Sequence, residues 1–195
     1  MKKIIILAAA LLFSAAALTA QDNSTPEAED AYTYDSYGRG DQFLKISLQP
    51  VIPLNFGQNL IFGGGAELSY YRFLTPQLAL GGEISAIFNA TIGGNVLTTI
   101  PLTFGATYQF LWDRFEFPLN LGIGICYTSC QNNSYFPGLV VRSGAGAFFR
   151  ASESWSFGLT VAYMWQPEWT KDDDGNTVYD QGHFLMPTIS ARYHF

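Results

Sequence analysis

In the stretch IPLTFGATYQF, Ile100, Leu102, Phe104, Ala106, Tyr108 and Phe110 alternate with Pro101, Thr103, Gly105, Thr107 and Gln109. A period of two is the mark of a β-strand with one apolar face. The same alternation runs through FPLNLGIGICY, WSFGLTVAYMW and the final FLMPTISARYHF. From residue 42 onward it defines eight segments, at about 42–53, 64–73, 77–88, 97–110, 116–127, 139–150, 155–166 and 184–195, and no stretch shows helical periodicity.

The connections alternate as well. Those after the first, third, fifth and seventh segments are long and polar or glycine-rich, the last being PEWTKDDDGNTVYDQGH, whereas those after the second, fourth and sixth (LTP, LWDRF, ASES) are short. Short turns at one end and long loops at the other predict an all-β fold, an eight-stranded antiparallel up-and-down transmembrane barrel. A soluble barrel alternates too, so charge decides which face points outward. The polar faces carry mainly Gly, Ser, Thr, Ala and Asn rather than the Lys and Glu of a water-facing sheet, so the apolar faces are expected in lipid and the small polar ones in a narrow bore.

Aromatic residues are expected to mark two membrane boundaries: Phe43, Phe73, Phe110, Trp112, Phe115, Phe117, Phe149, Trp155, Tyr193 and Phe195 at the turn end, and Phe62, Phe88, Tyr127, Trp165, Trp169 and Phe184 at the loop end. Each span of about 10 to 12 residues suits a tilted transmembrane strand.

The N-terminus adds a destination. Met1-Lys2-Lys3 precedes IIILAAALLFSAAALTA, a basic start, an apolar run and a small-residue exit, which reads as a secretory signal peptide over 1–20 with cleavage after Ala20, or alternatively after Ala17. Loss of Lys2 and Lys3 moves the net charge from −6 to −8, a balance that excludes a nucleic-acid partner. Residues 21–41 hold six acids and no aliphatic periodicity, and read as a disordered, solvated periplasmic tail before the barrel domain at 42–195. The alternative for its tyrosines, Tyr32, Tyr34 and Tyr37, is a short docking motif.

The eight segments, the short turns and the terminal aromatic alternation resemble the eight-stranded outer-membrane barrel superfamily, which includes OmpA-type transmembrane domains, OmpX and OmpW/OprG proteins. The resemblance covers residues 42–195. It implies that Ile189, Ala191, Tyr193 and Phe195 form the signal read by the barrel-assembly machinery. Outer-membrane lipid and a small-molecule solute are the expected partners, the long loops are expected outside the cell, and a monomer is favoured with the oligomeric state left open. No OmpA-like peptidoglycan-binding domain follows the barrel in this sequence.

Candidate chemistry sits at inward positions. By parity Lys45, Glu67, Glu83, Arg142 and Arg192 face the lumen, with Glu67 and Glu83 brought close by the FLTPQ turn. Two adjacent carboxylates need a cation between them, supplied by Arg142 or Arg192 together with Lys45. The network either fills the bore or gates a polar path. Pro50 and Pro187 each remove a ladder donor on the strands that close the barrel. They read as local bulges or, as OmpW-like barrels imply, as a lateral opening for apolar solutes. Glycines at inner positions, Gly105, Gly122, Gly124, Gly144, Gly146 and Gly158, are expected to leave room in the bore.

Cys126 and Cys130 are expected to form a disulfide across a turn. Asp172, Asp173, Asp174, Asn176 and Asp180 read as a hairpin tip, since the EF-hand pattern is incomplete. No metal or cofactor is expected. Barrel enzymes of this size use a His near the membrane surface. Only His183, near Asp180, and His194 exist here and no nucleophile stands out, so no enzyme is expected. The leading reading is a narrow porin-like channel for small or hydrophobic solutes; the alternative is a surface-contact barrel acting through its loops in adhesion or membrane integrity.

Overall fold

The computed structural model describes residues 37–55, 60–131, 133–171 and 177–195. The expected signal peptide over 1–20, the part of the expected tail at 21–36 and residues 172–176 of the expected hairpin tip lie outside the described residues. Eight antiparallel strands, β1 (Gln42–Pro53), β2 (Leu60–Phe73), β3 (Leu78–Thr91), β4 (Val96–Trp112), β5 (Phe115–Cys130), β6 (Asn133–Arg150), β7 (Trp155–Lys171) and β8 (Thr177–His194), close into one barrel in chain order. Closure lets every wall strand pair on both edges, which backbone groups in hydrocarbon require.

The predicted alternation sets the two faces. Leu48, Phe104, Leu121, Leu159 and Ile189 point outward and are each more than 60% exposed. Ser47, Glu67, Thr103, Thr107 and Ser190 point inward and are buried. An apolar belt running round a whole barrel has no stable place in water, where contiguous exposed apolar surface stays small; in lipid it is the solvated face.

Three expectations are corrected. The long loops are largely strand: β5 runs on to Cys130 and β6 begins at Asn133, and β7 and β8 continue to Lys171 and Thr177. Cross-strand pairing captured segments that read as loops for want of apolar alternation, because a ladder needs only backbone groups. Second, Phe43, Phe73 and Phe184 face the bore, at 1%, 0% and 2% exposure, and belong to no girdle; each shares parity with an inward charge on its own strand.

Third, the inner glycines leave little room. A Cβ at Gly124 would overlap the carbonyl oxygen of Leu102, and one at Gly105 that of Leu121. The tightly coiled wall brings neighbouring backbone into the space a side chain would use.

Candidate functional site

The bore is filled in tiers. At mid-height, β1, β2, β3 and β6 converge Lys45, Glu67, Glu83 and Arg142. Lys45 Nζ lies 2.9 Å from Glu67 Oε1 and 3.5 Å from Glu83 Oε1. Arg142 pairs with Glu67 through Nη2 and with Glu83 through Nη1 at 3.4 Å. The opposite charges balance, and remaining donors are used: Ser69 donates to Glu67 (2.9 Å), Tyr71 to Glu83 (2.9 Å), and Arg142 to Ser85 and Gln49 (both 3.3 Å). Two carboxylates on neighbouring strands coexist because each touches both cations.

Arg192 does not join this group. It lies toward the turn end, where its Nη1 is 3.2 Å from Glu116 Oε2 and donates to Gln109 Oε1 at 3.0 Å. Its guanidinium stacks 3.6 Å from the Phe148 ring. Ser156 donates to Glu116 (3.0 Å) and contacts His194 Nε2 (2.9 Å). Glu116 and His194 were not among the predicted network residues, although their parity, opposite to that of Phe117 and Tyr193, marks both as inward.

Tyr37 closes this lower tier. It is 3% exposed, so the reading of 21–41 as solvated throughout fails at this residue. Its ring stacks on Phe73 at 4.5 Å and His194 at 5.0 Å, the Arg150 guanidinium lies 4.7 Å from its face, and its hydroxyl donates to Glu116. Burial and the adjacent carboxylate push the phenol well above its ordinary pKa, which keeps it a donor. The Ser156–His194 contact lies beneath this ring, and Ser156 is fully buried.

Above the mid tier the bore turns apolar: Val51, Ile87, Val140, Met164, Phe184 and Met186 form one buried cluster with Cys126. Cys126 and Cys130 are both free thiols. The expected disulfide fails because β5 continues unbroken through both. Four residues of extended strand separate their Cα atoms by about 13 Å, beyond the reach of an S–S bridge.

The wall beside this apolar tier is incomplete. On the β1–β8 seam the ladder runs from Phe43↔His194 to Leu48↔Ile189, stops, and resumes at Ile52↔Leu185 in the same register. Pro50 therefore stands directly opposite Pro187. Gln42 and Phe195 exchange both backbone hydrogen bonds, at 2.9 and 3.0 Å, so even-numbered β1 residues occupy the bonded positions of this antiparallel pair. Pro50 and Pro187 share one such position, and neither has an N–H to give. Unchanged register excludes a bulge here. Among the described residues no group of three or more His, Cys, Asp or Glu is placed to hold a metal ion.

One family model matches residues 21–193. An uncharacterized protein of Treponema pallidum (strain Nichols) is 33% identical over 148 residues, 67% of each chain. The chain belongs to the family so matched, and its fold is a closed eight-stranded barrel. A second protein of that strain is 26% identical over 141 residues, and the match spans 48% of its length. One from Borreliella burgdorferi is 25% identical over 176 residues, covering 76% of this chain and 80% of the relative. Among solved structures the barrel is similar to Neisserial surface protein A (TM-score 0.62, 9% identity, 80% of this chain and 97% of that one). It is also similar to the outer membrane protein OprG of Pseudomonas aeruginosa (TM-score 0.55, 12% identity, 82% and 98%). At these identities the likeness is one of fold.

Proposed function

We propose that the barrel is a narrow conduit for small apolar solutes, which enter the outer half of the bore and leave sideways through the β1–β8 seam into the bilayer. The observation that carries this reading is a coincidence of place. The interrupted ladder at Pro50 and Pro187 adjoins Val51 and Met186, both fully buried members of the apolar cluster. A polar solute passing straight through would have to break two tiers of buried ion pairs, which are costly to disrupt. In this reading the short turns and the acidic tail face the periplasm, the extended hairpins face outside, and Ile189, Ala191, Tyr193 and Phe195 present the assembly signal.

Uptake into vesicles holding the folded barrel tests the proposal. An apolar tracer should enter several-fold faster than into empty vesicles, a sugar and an amino acid should not, and Pro187→Ala, which restores one seam donor, should slow the tracer. A folded barrel that moves no tracer would sink it. That outcome favours the second reading, surface contact: Trp169 and Tyr179, each 49% exposed with rings 5.7 Å apart, project on the β7–β8 hairpin.

A further inference from the structure

At the outer mouth Glu168 and Asp180 stand directly opposite each other across β7 and β8. Like charges in that position destabilise a sheet, and among the residues whose side chains are described no Lys, Arg or His forms an ion pair with either. Both line a concavity of about 100 Å³ together with Thr99, Thr128 and Gln166, over a floor of Leu97 and Phe184. Thr99 is 1% exposed, and its hydroxyl has no hydrogen-bond partner among the described residues. Gln166 donates its amide to Thr128 Oγ1 at 2.8 Å, leaving its own carbonyl oxygen as an acceptor.

Gln181 and Gly182 complete the lining, and the Gln181 N–H donates to Asp180 Oδ1 at 2.7 Å. The lining is therefore rich in acceptors and negative. It repels anions. Calcium takes six to eight oxygen ligands arranged all round the ion, whereas Leu97 and Phe184 close one side of this lining with carbon. An ammonium group brings a positive charge and several N–H donors in a compact head, and a short carbon arm can lie on Leu97 and Phe184. A volume equal to about three waters limits that arm to a few carbons.

We propose that this vestibule binds a small primary alkylammonium ion, its nitrogen between Glu168 and Asp180 and hydrogen-bonded to Thr99, its carbon arm on Leu97 and Phe184. The site stands whether or not a bound ion travels further. Binding is measured without flux, so a failed titration and a failed uptake assay are read apart.

The test is calorimetric titration of the mature chain, folded in nanodiscs of zwitterionic lipid, with propylammonium, propanol and calcium at matched ionic strength. Propylammonium should saturate at one site and propanol should not. Glu168→Gln and Asp180→Asn should each weaken binding at least tenfold, Thr99→Val several-fold, and Glu153→Gln at the opposite end not at all. Gel mobility before and after boiling checks that each variant is folded. Absence of saturable propylammonium binding, binding indifferent to both amide variants, or calcium binding that propylammonium does not displace would each overturn the proposal.

Discussion

Glu67→Gln is the sharpest probe of the bore. The Glu67 side chain is fully buried, 2.9 Å from Lys45 and paired with Arg142. Removing its charge leaves two cations to share Glu83, at 3.5 and 3.4 Å, and strands one positive charge in the barrel. Breaking a buried pair from one side costs about 3–5 kcal/mol, a fall of about two to four orders of magnitude in the folded-to-unfolded ratio. Urea unfolding in lipid vesicles, followed by tryptophan fluorescence, should show that loss as a lower midpoint with an unchanged slope. Combining Glu67→Gln with Arg142→Met restores neutrality, since Lys45 keeps Glu83, and should bring stability back to within about 1 kcal/mol of the parent. A single change worth less than about 0.5 kcal/mol, or a double variant no better than the single, would refute the view that the tier is a charge-balanced unit.

Two further outcomes follow from the wall. Gly124→Ala should destabilise the barrel by about 3 kcal/mol, because its Cβ would meet the Leu102 carbonyl; a variant as stable as the parent in the same unfolding assay would mean that the inner wall is looser than described. The oxidised, purified protein, unfolded under acid quench and alkylated, should take up two thiol labels, one each at Cys126 and Cys130. A single band shift that appears only after reduction would show that a bond forms despite the strand.

Much of the barrel was legible in the chain because strand periodicity is a local property. Parity alone placed Lys45, Glu67, Glu83, Arg142 and Arg192 inside, and the structure buries all five. Applied consistently, it would also have moved Phe43, Phe73 and Phe184 off the girdles and added Glu116 and His194 to the bore.

Alternation says which way a side chain points but not which inward residues it reaches across the bore. Arg192 stands opposite Lys45 in the β1–β8 register, yet its guanidinium pairs with Glu116 three strands away, a choice set by strand stagger around the closed sheet and visible only in three dimensions. The same holds for Pro50 and Pro187. Sequence put each on a closing strand, whereas the register of β1 against β8 set them opposite each other at a position that needs two donors.

The sequence by itself determined a closed, lipid-facing sheet of eight strands with a polar, charged interior, because burial and lipid act on each residue's own chemistry and its two-residue period. Tertiary structure alone decided the tiers of the bore, the seam, the capping by Tyr37 and the facing acids at the mouth. Each of these is a meeting of residues distant in the chain, fixed by register and closure, on which local pattern is silent.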